Sequence, residues 1–374
     1  MQKKKILIVF GTRPEAIKMA PVYIELKKSQ QFDVKLLITA QHRQLLDGVL
    51  NFFKISADYD LDIMKDNQDL FDITANVLIK IKPILAEEKP DIILVHGDTT
   101  TSFVASLAAF YLKIPVGHVE AGLRTFNIYS PFPEEMNRTL TTRIAKYYFA
   151  PTQTTRNNLL NEGIADENVL VCGNTVIDGL FMAIKLLDKN ALKKQLKDQF
   201  NFDIENKYIL ITAHRRENFG DNFKKIFEAI SDLAKQYMDY NFIYPVHPNP
   251  NVKNMAHEML GENSNVYLIP PQEYDMFTFL ISESEIILTD SGGIQEEAPS
   301  LNKPVLVLRD TTERPEALEA GCLKLVGADK KLIISEVSKL LTDKGYYNEM
   351  AGKKNPYGDG TTSIQIRNYL EAKL

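Results

Sequence analysis

The chain of 374 residues is long for one hydrophobic core and comfortable for two domains. Its 44 Lys and Arg against 49 Asp and Glu leave a net charge of −5, which argues against nucleic acid or an anionic membrane as the main partner. The apolar run Ile6 to Phe10 is too short for a signal peptide and nothing approaches a membrane span. Cys172 and Cys322 lack metal-ligand neighbours, so a cytoplasmic protein with reduced thiols is expected.

Lys5 to Phe10 reads as a strand closed by Gly11-Thr12-Arg13-Pro14-Glu15, with Pro14 in the first turn of the following helix, where a missing N–H is tolerated. Arg13 and Lys18 near that helix start are poor company for its positive end, which hints at an external anion. Strands follow at Val34 to Thr39, Asp91 to His96 and Val116 to Val119. Asp98 and Glu120 fall just past the last two, and a proline-stiffened loop from Tyr129 feeds a helix from Glu134 to Lys146. Tyr147 to Ala150 and Val169 to Cys172 complete a first alternating pattern. Such alternation describes a parallel doubly wound sheet, whose ligands gather at the C-terminal strand ends.

After a lysine-rich helical stretch from Thr175 to Gln199 the pattern restarts. Strands are expected at Tyr208 to Thr212, Phe242 to Val246, Val266 to Ile269, Ile286 to Leu288 and Val305 to Leu308. The helix of Asn222 to Tyr237 buries one face through Ile226, Phe227, Ile230, Leu233, Ala234 and Tyr237. Two similar α/β halves with a cleft between them follow. The expected division is residues 1–173 plus a last helix at about 361–374, and residues 174–360.

The chemistry differs between the halves. In the second, Asp290 ends a strand and Ser291, Gly292 and Gly293 open a helix expected to begin at Ile294 or Gln295. Glycines let a diphosphate approach the backbone while first-turn N–H groups point at it. Glu296 or Glu297 can accept a ribose's hydroxyls; an ordinary strand–helix turn with Ser291 as N-cap is the alternative. Arg314 suits a phosphate or a surface pair with Glu313, and His214 suits a departing phosphate or a structural role. In the first half Asp98, Glu120 and Glu134 are carboxylates suited to proton abstraction and return, or else caps and ion-pair partners. No Gly-x-Gly-x-x-Gly follows a strand and no Walker motif occurs, so a dehydrogenase or a kinase is not expected; no histidine spacing suggests a metal site.

Eight runs go beyond generic chemistry: Gly11 to Pro21, His96 to Thr101, His118 to Arg124, Pro133 to Arg138, Gly173 to Asp178, His214 to Asn218, Thr289 to Pro299 and Arg309 to Glu316. Spanning nearly the whole chain in order, they resemble the non-hydrolysing UDP-N-acetylglucosamine 2-epimerases of bacteria. The resemblance implies two Rossmann-like domains of glycosyltransferase-B architecture and reversible interconversion of UDP-GlcNAc and UDP-ManNAc, without cofactor or metal. It also implies that UDP is held chiefly by the second domain and that a homodimer forms through the first. By motif, Asp98, Glu120 and Glu134 are similar to the family's acid/base set, with their assignment to the faces of C2 left open, and His214 to the group that assists UDP departure. Arg13, Lys18, Gln272, Phe277, Ser291, Gly292, Gly293, Glu297 and Arg314 resemble its substrate contacts, with Phe277 near the uracil or else in the core. Gln41, Gln44 and His247 match a second, activating UDP-GlcNAc site in some members, although Asn67 stands where some carry an arginine. A glycosyltransferase of the same architecture, a hydrolysing relative that releases ManNAc and a nucleotide-sugar sensor are the rival expectations.

Overall fold

The computed structural model describes residues 2–40, 43–65, 67–189 and 192–374. The chain divides into two compact units, residues 1–182 with 357–374, and residues 183–356.

The first unit is built on seven strands: β1 (Lys4–Phe10), β2 (Phe32–Ile38), β3 (Tyr59–Asp60), β4 (Ile92–His96), β5 (Val116–Val119), β6 (Tyr147–Ala150) and β7 (Val169–Val171). They pair in the order β3-β2-β1-β4-β5-β6-β7, all parallel. Strands covered on both faces need continuous apolar runs, and all five residues of β4 are buried. The helices α1 (Arg13–Lys27), α2 (Arg43–Phe52), α3 (Leu70–Glu88), α4 (Thr100–Tyr111) and α5 (Glu134–Ile144) follow β1, β2, β3, β4 and β5 in turn. Helices α3 and α4 close one face of the core through Ile73, Val77, Ile81, Leu85, Val104, Ala105 and Ala108.

The β1–α1 turn is tied down by Glu15. This buried carboxylate accepts from the N–H groups of Gly11 (3.0 Å) and Thr12 (2.9 Å) and from the hydroxyls of Thr12, Thr99 and Ser102. One side chain therefore satisfies orphan donors at the start of α1 and joins that turn to the start of α4. Gly11 leaves no room for more: a Cβ there would stand 2.0 Å from Thr39 Oγ1. The C-terminal helix Thr362–Lys373 belongs to this unit, its first N–H groups donating to buried Asp178 from Ser363 (2.7 Å) and Thr362 (3.3 Å).

The second unit holds β8 (Tyr208–Thr212), β9 (Asn241–Pro245), β10 (Val266–Ile269), β11 (Ile286–Thr289), β12 (Val305–Val307) and β13 (Leu323–Leu325). Their order is β10-β9-β8-β11-β12-β13, again all parallel. The core packs Phe223, Phe227 and Ile230 of the helix Asp221–Gln236 against Phe242, Tyr244 and Leu288. The strands β3 and β13 lie outside the sequence expectation. Both sit at sheet edges and are two and three residues long, too short to show a hydrophobic period. Among the described residues no helix is long and apolar enough to cross a membrane.

Candidate active site

In each sheet the strand order reverses direction once, between β1 and β4 and between β8 and β11. Doubly wound sheets bind ligands beyond the strand ends at such switch points. Asp98 follows β4 and Ser291 to Gly293 follow β11, so each sheet carries sequence-expected residues at its switch point.

In the first unit, β4 and β5 are neighbours with His96 opposite Val119, so Asp98 and Glu120 lie just past adjacent strand ends. Glu120 has φ of +62°, a left-handed conformation that is uncommon outside glycine and is held here at a cluster of charged groups. Its buried carboxylate is ion-paired to Lys18 of α1, and His96 Nε2 lies 2.9 Å from Glu120 Oε2 without hydrogen-bond alignment. Burial pushes this acid up, but the Lys18 ammonium and the His96 ring outweigh it and hold Glu120 well below the usual carboxylate range. The cation that the sequence suggested for an external anion is thus engaged by a carboxylate 102 positions away. Arg13 opens α1, half-buried.

Asp98 is not the cap of α4, a role filled by Thr99. It is ion-paired to Arg138, whose Nε and Nη2 lie 2.9 and 2.6 Å from Asp98 Oδ2. Glu134 is the first residue of α5 and half-buried, while its neighbour Glu135 is buried. His118 lies inside the sheet, with Nε2 2.7 Å from the carbonyl oxygen of Gly97, and burial depresses its pKa to about 4. Since the unfolded chain titrates near 6.5, it takes up a proton that the fold refuses as pH falls from 6.5 toward 4. Stability present above pH 6.5 is therefore lost over that window, by up to about 3 kcal/mol. His118→Gln, which keeps a donor for Gly97, is expected to flatten the acid limb of urea midpoints measured between pH 7 and 4; an unchanged slope would count against this account.

In the second unit β11 delivers Asp290 into full burial. Its Oδ2 accepts from the backbone N–H groups of His214 and Arg215 (both 2.8 Å) and from Asn218 Nδ2 (3.1 Å). This carboxylate fixes the turn after β8 and so places His214, whose Nδ1 lies 3.4 Å from Asp290 Oδ1. Burial lowers the His214 pKa, with Asp290 partly opposing and Arg215 and His247 assisting. The exposed His247 ring stacks on His214 with centroids 5.6 Å apart.

The helix after β11 begins at Gly292, earlier than expected, with Ser291 as N-cap although its side chain caps nothing. Pairing explains the early start: the Ser291 N–H donates to Thr289 Oγ1 (2.9 Å), which turns the chain directly at the strand end. A Cβ on Gly292 would lie 3.9 Å from an Nη2 of both Arg215 and Arg314, so two guanidinium groups converge on this bare backbone. Arg314 is ion-paired to Glu296, not to the Glu313 carboxylate, and Nη1 donates to the Glu313 carbonyl. Glu296 is buried and its carbonyl accepts from Asn355, whereas Glu297 is half-buried beside Gly293. Gln272 Nε2 donates to the Pro270 carbonyl (2.6 Å). Phe277 is half-buried in the first turn of the helix Tyr274–Glu283, whose Met276 and Phe279 are among its buried residues. Gln41 lies outside the described residues, as does the side chain of Gln44, whose backbone is in α2; Asn67 is exposed on a turn.

Sequence reasoning did not single out Glu15, His96, Arg138, Arg215 or Asp290 for these contacts. Two signals were present: the capping-box spacing of Thr12 and Glu15 and the i, i+3 spacing of Glu135 and Arg138 on a helix.

A sequence profile described as UDP-N-acetylglucosamine 2-epimerase matches residues 24–371. The UDP-N-acetylglucosamine 2-epimerase of Neisseria meningitidis serogroup A is 56% identical over 360 residues, 96% of this chain and 97% of that protein. A crystal structure of the Neisseria meningitidis enzyme bound to UDP-GlcNAc superposes with a TM-score of 0.88 at 55% identity, covering 98% of this chain and 100% of that one. The Methanocaldococcus jannaschii enzyme in complex with UDP-GlcNAc and UDP superposes with a TM-score of 0.79 at 37% identity, covering 98% and 99%. Two doubly wound parallel sheets of glycosyltransferase-B type and a full-length match place this chain in the UDP-N-acetylglucosamine 2-epimerase family.

Proposed function

We propose that the protein reversibly interconverts UDP-GlcNAc and UDP-ManNAc by eliminating UDP and adding it back. The C2 proton of the sugar has no adjacent carbonyl and is not acidic enough for simple removal. Loss together with the C1 substituent avoids that difficulty. A carboxylate takes the C2 proton, the C–H electrons form a C1–C2 double bond, and UDP leaves with the C1–O electron pair. Re-addition of UDP at C1, with a proton delivered to the opposite face of C2, inverts that centre.

In this reading the second unit grips the diphosphate and the first handles the proton. Ser291, Gly292 and Gly293 offer backbone, Arg314 and Arg215 offer cations, and His214 donates to the departing oxygen. Glu297 and Gln272 contact the ribose and its surroundings, and Phe277 the uracil. Asp98, Glu120 and Glu134 are the proton carriers. A base works best with a pKa near the operating pH, and the resting Glu120 is far below it. An anionic substrate near Arg13 and Lys18 competes for the ammonium and raises Glu120 toward use.

The observation that carries the proposal is two ion-paired groups, Lys18 with His96 and Glu120 and Asp98 with Arg138, past the adjacent ends of β4 and β5, in a chain whose relatives bear this activity in their names. Its test is an anomeric proton spectrum of UDP-GlcNAc incubated with the protein in D₂O without acceptor or added cofactor. UDP-ManNAc should appear with deuterium at C2; product that keeps its original C2 proton would refute the proton-transfer scheme.

We also propose a homodimer through the first unit. Phe71 and Ile79 of α3, Phe110 and Tyr111 of α4 and Met136 and Leu140 of α5 are exposed on helices that pack side by side. Apolar surface of this kind marks an interface. Light scattering after gel filtration should give twice the chain mass, and Ile79→Glu with Phe110→Glu should give the monomer; a monomeric parent protein refutes it.

A further inference from the structure

The three carboxylates of the first unit come from different elements, yet one helix touches the surroundings of all three. Glu134 and Arg138 are four residues apart on α5 and share a face. Arg138 engages the Asp98 carboxylate through Nε (2.9 Å) and Nη2 (2.6 Å), and Asn137 Nδ2 donates to the Asp98 carbonyl oxygen (2.9 Å). Asp98 is thus held at both its side chain and its main chain by consecutive residues of the helix that presents Glu134. Glu135 holds the other end of Arg138, with Oε2 3.0 Å from Nη1. Its second oxygen accepts from the N–H groups of Thr125 (3.0 Å) and Phe126 (2.9 Å), in the segment that leaves β5 after Glu120. Glu135 is 2% exposed, so water does not compete for these bonds.

We infer that Glu135 and Arg138 are positioning residues that set the spacing of Asp98, Glu120 and Glu134 during epimerisation. The inference rests on the proposed reaction. Two-sided proton handling at one carbon demands that groups on different elements keep a fixed separation, and a displacement of about 1 Å can cost about a hundredfold in rate. A half-buried arginine that reaches Asp98 through Nε and Nη2 and Glu135 through Nη1 supplies that rigidity where a lysine, a single point charge on a flexible stem, does not.

The test compares wild type, Arg138→Lys and Glu135→Gln. Arg138→Lys should lower kcat by about 30-fold with KM for UDP-GlcNAc and the Kd for UDP within about threefold of wild type. In D₂O, the ratio of deuterated UDP-GlcNAc returned to UDP-ManNAc formed should change, because the two faces are no longer served in register. A purely structural role would lower the amount of active enzyme and leave that ratio alone. Glu135→Gln keeps an acceptor for Thr125 and Phe126 but loses the ion pair, and should shift the ratio in the same direction by less. Should Arg138→Lys melt early, Glu135→Gln carries the test. Folded variants with wild-type kcat and ratio would overturn the inference alone. A wild-type protein that leaves UDP-GlcNAc unchanged would overturn the proposed reaction and this inference with it.

Discussion

Glu120→Gln is expected to lower kcat for epimerisation by about a thousandfold while UDP still binds within a few-fold of wild type. The amide is nearly isosteric and keeps an oxygen for Lys18, so the pocket retains its shape. What disappears is a group able to accept a proton, together with the charge that the half-buried Lys18 faces. Loss of this largely enclosed ion pair brings some loss of thermal stability with the change. The residue stands in the left-handed backbone region on a strand end, and such strain persists where the surrounding structure enforces it. The sensor reading makes the opposite prediction, a change in affinity and nothing else. Rates from anomeric proton signals and UDP affinities from calorimetry separate the two; retention of kcat within about tenfold removes Glu120 from the acid/base set.

Asp290→Ala is expected to destabilise the second unit by about 3–5 kcal/mol and to weaken UDP binding in whatever remains folded. One fully buried carboxylate oxygen serves the backbone N–H groups of His214 and Arg215 and the side-chain amide of Asn218. Alanine leaves all of these donors in a site too enclosed for bulk water. The loss concerns position as much as energy, because these donors belong to the turn that carries His214 and the Arg215 guanidinium toward Gly292. Asp290→Asn keeps one carbonyl oxygen and should cost much less. Urea midpoints rank the three proteins, and UDP titrations read the grip; an alanine variant as stable as its parent would show that the turn is held by something else.

The strands were legible because parallel strands covered on both faces need unbroken apolar runs, and those runs survive in sequence as Ile6 to Phe10, Ile92 to Val95 and Ile286 to Leu288. Edge strands β3 and β13 are too short to leave that mark. Asp98 and Glu120 were legible as candidates because a polar residue ending such a run falls at the edge where ligands gather. Phe277 was left by its spacing between the uracil and the core, and the structure holds it half-buried on the helix Tyr274–Glu283.

By itself the sequence determined the alternation of strands and helices, the family motifs and the residue types available at each strand end, since these depend on composition and short-range order. Tertiary structure alone decided who partners whom: Lys18 with Glu120, Asp98 with Arg138, Arg314 with Glu296. These choices separate a free cation from an engaged one and set the depressed acidity of Glu120. They arise from the order in which strands pair and from burial, which strengthens charge interactions that the linear chain leaves in water.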